Sequence, residues 1–67
     1  MNFMNAMLEV CEYSSMRRKA WPKKHYVKVY KRFGDDASVW YIMPEQYYSM
    51  LYTPTKQDIL ADDWEEY

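Results

Sequence analysis

The chain has 67 residues and a formal net charge of −1 from nine basic and ten acidic side chains, so it forms one domain, 1–67, that buries only about 60 percent of its unfolded surface. Three Trp, eight Tyr, two Phe and six Met are more large apolar surface than one small core hides, and the excess belongs to a binding site, a subunit contact or both. One cysteine excludes an internal disulfide, no apolar run is long enough to span a bilayer, and the N-terminus lacks the pattern of a signal peptide.

The first element is a helix over Asn2 to Tyr13. At 100 degrees per residue, Asn2, Asn5, Glu9 and Glu12 share a narrow polar sector. Phe3, Met4, Ala6, Met7, Leu8, Val10 and Cys11 fill the rest of the circumference, a broader arc than one sheet covers. The uncovered part is expected to meet another protomer. Cys11 lies inside that arc and reads as a small buried hydrophobe rather than a nucleophile.

Ser14 and Ser15 break the helix, and 16–21 (MRRKAW) follows as a short extended piece ended by Pro22. The segment 25–33 (HYVKVYKRF) alternates with period two. Val27, Val29 and Phe33 point one way, and Tyr26, Lys28, Tyr30 and Arg32 the other. Residues 34–36 (GDD) hold the only glycine and make the hairpin turn. The returning strand is 38–43, stopped by Pro44. In 45–52, Pro44 either opens a helical turn or Tyr48, Met50 and Tyr52 share one face of a further strand, with a slight preference for the strand.

Thr55 is a helix N-cap, with Asp58 three residues on as the acidic half of a capping box. Ile59, Leu60 and Ala61 supply one apolar turn, which Asp62 and Asp63 end. Trp64 then docks as a buried ring, leaving Glu65 and Glu66 in solvent. The expected fold is α+β: an amphipathic helix packed on a small antiparallel sheet, with a short C-terminal helical turn, assembled as a homo-oligomer.

Eight of the nine basic residues lie between Arg17 and Arg32, and five of the ten acids between Asp58 and Glu66. This pattern points to a local anion site or to pairing of the two blocks with each other, within or between subunits. Catalytic readings find little support. His25 is the only histidine and, beside two lysines, reads as a surface residue. The tail carboxylates form a run rather than an opposed pair, and neither metal-ligand spacing nor a glycine-rich phosphate loop occurs. The alternation Tyr26-Lys28-Tyr30-Arg32, with Arg17, Arg18 and Trp21 near in sequence, suits rings stacking on bases and cations holding phosphates. It is equally ordinary decoration of a solvent-facing strand.

Both ends of the chain resemble the Thoeris anti-defence family two proteins, which are small phage proteins. The matching residues are Phe3, Ala6, Met7 and Leu8; Arg17, Arg18 and Trp21; and Thr55, Asp58, Ile59, Leu60, Ala61, Asp63, Trp64 and Glu65. A glycine usual before the basic segment is replaced by Ser14-Ser15, and the middle is shorter than in many members. The resemblance implies a non-enzymatic sponge that sequesters a cyclic nucleotide signal in the cytoplasm of an infected bacterium. Glycocyclic ADP-ribose from Thoeris systems is the signal most associated with the family; some members hold cyclic oligonucleotides from cyclase-based (CBASS) systems. It also implies a homo-oligomer, typically a tetramer, with pockets where protomers meet; no cofactor and no membrane partner are expected. On this reading Trp21 and one or more of Tyr26 and Tyr30 stack on base, and Arg17, Arg18, Lys28 and Arg32 hold phosphate. Asp63 accepts from a ribose hydroxyl, an adenine amine or a basic residue of the pocket. The alternatives from other classes are a single-stranded nucleic-acid binding module on the same face and an inhibitor that occludes a host enzyme through the acidic tail.

Overall fold

The computed structural model describes residues 1–31 and 36–67. Arg32, Phe33 and most of the expected hairpin turn therefore lie outside the described residues. The elements in chain order are α1 (Phe3–Cys11), β1 (Met16–Arg18), β2 (Tyr26–Lys31), β3 (Ala37–Met43), a 3-10 turn (Pro44–Gln46), β4 (Tyr48–Leu51), α2 (Lys56–Leu60) and β5 (Trp64–Glu66). The five strands form one antiparallel sheet in the order β4-β3-β2-β1-β5. The fold is α+β, as the sequence pattern indicates.

Helix α1 starts where Asn2 accepts the Asn5 backbone N–H at 2.9 Å, satisfying one of the orphan donors of the first turn. It ends in a paired closing motif: Ser14 N–H donates to the Glu9 carbonyl at 3.0 Å and Tyr13 N–H to that of Val10 at 2.9 Å. That geometry needs a left-handed residue, normally glycine, and here Tyr13 takes it with φ of 71°. The side chain is exposed and gains nothing from core packing there. Tyr13→Gly is expected to stabilise the domain by about 1 kcal/mol, the cost of a left-handed non-glycine residue. A urea midpoint that falls or stays level would contradict it.

The sheet takes only half of the helix arc. Ala6 and Val10 are buried and Phe3 and Met7 partly so, against Met16, Val27 and Trp64. Met4 and Leu8 remain 71% and 61% exposed. Cys11 follows them at helical spacing and is also exposed, which corrects the expectation of a buried thiol: position 11 turns away from the sheet that covers positions 3, 6, 7 and 10.

The extended piece expected over 16–21 is shorter. It pairs only through Arg18; a turn then carries Trp21, whose N–H donates to the Arg18 carbonyl at 3.0 Å. In β2, Val27 is buried and pairs with Tyr41 of β3, while Tyr26 and Lys28 pair with Ile42 and Trp40. The two side-chain sets thus lie on opposite faces. Both readings of the segment after Pro44 hold in part: the proline opens one 3-10 turn, and Tyr48–Leu51 is the edge strand β4.

Thr55 closes the expected capping box over α2, accepting from Asp58 N–H at 3.1 Å while Asp58 accepts from Thr55 N–H at 3.2 Å. The tail after it is not a loose end. Trp64, Glu65 and Glu66 form edge strand β5 on β1, with Arg18 opposite Trp64 and Arg17 opposite Glu65. Glu65 is consequently ion-paired to Arg17 rather than left in solvent. Among the described residues no helix is long and apolar enough to cross a membrane.

Candidate functional site

On the helix-bearing face of the sheet, a cleft of about 490 Å³ opens between the end of β1, the β3–β4 pair and the start of α2. Arg18 and Trp21 line one side, Tyr41, Met50 and Tyr52 another, and Thr55 and Asp58 the third. Its rings brace one another. Trp21 meets Tyr41 edge-on at 5.0 Å between centroids, Trp64 at 5.1 Å and Tyr52 at 6.1 Å. Tyr41 and Tyr52 lie nearly parallel, 6.4 Å apart. The interlocking leaves these rings little rotamer freedom, so the wall is preorganised.

Asp58 is the polar hub of the cleft. It is 5% exposed, and its carboxylate accepts from Arg18 at 3.1 Å, Tyr52 Oη at 2.9 Å and Thr55 N–H at 3.2 Å. Its backbone carbonyl accepts Trp64 Nε1–H at 3.1 Å. Burial pushes the Asp58 carboxyl up, but the Thr55 backbone, Tyr52 and Arg18 outweigh it and hold the group below its ordinary value. Asp63 sits behind Arg18, accepting from Nε at 2.9 Å and from the Ala20 backbone at 3.3 Å. Arg18, against partial burial, holds the Asp63 carboxyl below its ordinary value. Burial, then the bond to ionised Asp58, drives the Tyr52 hydroxyl far above its usual range. Asp58 and Asp63 are thus charged acceptors and Tyr52 a neutral donor.

The eight residues that the sequence nominates do not form one site. Arg18 and Trp21 line the cleft, with Asp63 bound to Arg18. Tyr26, Lys28 and Tyr30 line a separate hollow of about 260 Å³ on the other face, with Trp40, Ile42 and Ser49. There the Lys28 ammonium lies 5.9 Å from the Tyr30 ring centre, and Tyr26 stacks on Tyr67 at 4.1 Å. Arg17 is held by Glu65 and by the Trp21 carbonyl, the latter at 2.9 Å. Arg32 lies outside the described residues.

The basic and acidic blocks do pair with each other, through Arg17–Glu65, Arg18–Asp58 and Arg18–Asp63. Sequence reasoning misses Tyr41, Tyr52 and the hub role of Asp58. The capping box marks Asp58 as a local cap, but nothing local announces Arg18 and Tyr52 as its partners. His25 is also misplaced by the sequence, since it is 8% exposed rather than on the surface.

A single antiparallel sheet carrying a helix on one face, with a ring-lined cleft closed by a partly buried arginine–aspartate cluster, defines a small α+β domain with a preformed polar-aromatic cavity. The chain belongs to the Tad2-like family: its whole length, residues 1–67, matches the family model described as the Thoeris anti-defense 2-like domain. Its place is therefore among anti-defence proteins. No curated protein matches it.

Proposed function

We propose that the protein sequesters a cyclic nucleotide immune signal, of the glycocyclic ADP-ribose type or a cyclic oligonucleotide, in the Trp21–Tyr41–Tyr52 cleft without breaking a bond in it. The observation that carries this reading is the preorganised ring-lined cleft in a chain of an anti-defence family. Its volume of about 490 Å³ falls within the range of small-ligand sites. Trp21, Tyr41 and Tyr52 offer apolar surface to a base, and the Thr55 hydroxyl and Asp58 border the same space.

The electrostatics favour holding over hydrolysis. Asp58 and Asp63 are each tied to Arg18 and held below their ordinary values, which suits acceptors for hydroxyl or amine groups and not proton shuttles. Arg18 already serves two carboxylates, so a ligand phosphate needs cations from elsewhere. Assembly as a homo-oligomer supplies a route, since the exposed Met4 and Leu8 of α1 offer an apolar contact surface. A second protomer then brings its own basic residues to the ligand.

The test is to incubate the protein with glycocyclic ADP-ribose and a panel of cyclic dinucleotides, wash, denature by heat, and analyse the released material by mass spectrometry. A ligand recovered intact and stoichiometric with protein is the expected result. Release of a cleaved product would overturn sequestration, and retention of nothing would overturn the ligand class.

A further inference from the structure

Behind the cleft lies a second polar group that the cleft residues do not account for. His25 is almost fully buried, at the end of a turn in which its N–H donates to the Pro22 carbonyl at 3.0 Å. Its Nδ1 is 2.8 Å from Tyr41 Oη, and its Nε2 meets the Glu45 carboxylate. The imidazole also stands edge-on to the Tyr41 ring, with centroids 5.5 Å apart. Tyr41 in turn lines the cleft and braces Trp21. Three separate parts of the chain, the Pro22–His25 turn, β3 and the 3-10 turn after Pro44, thus converge on one imidazole.

The directions of these hydrogen bonds follow from what each partner can do. An ionised carboxylate only accepts, so Nε2 must carry a proton toward Glu45. In the neutral ring that leaves Nδ1 with a lone pair, and the Tyr41 hydroxyl donates to it. The arrangement is fully satisfied in one tautomer only. The other neutral tautomer would set two acceptors, Nε2 and the carboxylate, against each other.

We propose that His25 is a positioning residue of the cleft: as the Nε2–H tautomer selected by Glu45, it accepts the Tyr41 hydroxyl proton and fixes the ring that walls the cavity. The inference rests on that cleft being the ligand site. Glu45 is suited to the selecting role, because its own backbone N–H, then His25, hold its carboxyl below the ordinary value. Burial, followed by the charges of Asp58 and Glu45, raises the Tyr41 hydroxyl, so it stays a donor. The groups acting on this chain of bonds are Glu45 from the 3-10 turn, Tyr41 from β3, Asp58 from α2 acting on Tyr41, and Lys24 acting on Glu45.

The first measurement is the tautomer, read from long-range proton–nitrogen correlations of the imidazole in the intact protein near neutral pH. The Nε2–H form is expected, and the Nδ1–H form would overturn the proposal. The second uses Glu45→Gln, whose amide can also donate to Nε2 and so permits the other tautomer. This change should mix the tautomers and broaden or shift the Tyr41 ring signals. It should also weaken glycocyclic ADP-ribose binding by about fivefold, the effect of one neutral hydrogen bond, and Glu45→Asp should restore part of each. In the third, Tyr41→Phe removes the hydroxyl that donates to Nδ1 and should weaken binding by about the same factor, with Glu45→Gln adding little to it in the double variant.

A Glu45→Gln protein that melts lower with an unchanged tautomer and an unchanged Tyr41 spectrum would show a merely structural role. If wild type binds no cyclic nucleotide, the proposed ligand is wrong. The tautomer and the Tyr41 signals would still decide the positioning role.

Discussion

Trp64→Ala is expected to cost about 3–5 kcal/mol, enough to unfold much of a domain whose total stability lies near the lower end of about 5–15 kcal/mol. The ring is 2% exposed and is the common neighbour of three separate parts of the chain. It meets Phe3 of α1 at 5.8 Å, Trp21 at 5.1 Å and Tyr52 at 6.5 Å. Its indole N–H is bound to the Asp58 carbonyl in α2, so truncation leaves both a cavity and an unpaired carbonyl. Trp64→Phe separates the two losses: it keeps most of the packing, forfeits the hydrogen bond, and should cost about 1–2 kcal/mol less than the alanine change. Urea unfolding followed by far-ultraviolet circular dichroism checks both. A midpoint for Trp64→Ala equal to that of wild type would mean that the tail does not clamp the core.

The parts of this fold that the sequence announces are those carried by local chemistry. Val27 and Val29 alternate with Tyr26, Lys28 and Tyr30, and the strand and its two faces follow. Thr55 and Asp58 spell a capping box, and α2 starts there. The broad apolar arc of α1 predicts that one sheet cannot cover it, and Met4 and Leu8 are indeed left exposed. What local pattern cannot supply is pairing across the chain. Trp64–Glu66 is too short and too acidic to read as a strand, yet β1 gives it a partner and turns Glu65 toward Arg17. The site fails for the same reason. Arg18 and Tyr26 both belong to the basic, aromatic block in sequence, but strand alternation and the sheet between them assign one to the cleft and the other to the far face. Tyr52 and Asp58 are six positions apart and meet because the intervening turn closes on itself.

Arg18→Ala is expected to destabilise the domain by about 3 kcal/mol, the lower figure for breaking a buried ion pair. Arg18 is the only cation bound to either Asp58 or Asp63 among the described residues. Removing it leaves Asp58 charged, buried and supported only by Tyr52 and Thr55. The change also has a pH signature. Both carboxyls are held below their ordinary values in the folded protein, so the stability they contribute is complete above the unfolded value of about 4. It is lost as pH falls through the lower folded values. Without Arg18 both groups move back toward the unfolded value, and that acid-side loss should shrink. Wild type should therefore lose more stability than Arg18→Ala between neutral and acidic pH. Arg18→Lys separates charge from geometry, because an ammonium cannot reproduce the fork that spans two carboxylates; it should recover only part of the loss. Urea titrations at several pH values measure all of this in the absence of ligand. A folded Arg18→Ala protein with wild-type stability and an unchanged pH profile would show that the guanidinium is free of Asp58 and Asp63 in solution. It would then be available to hold a ligand phosphate itself.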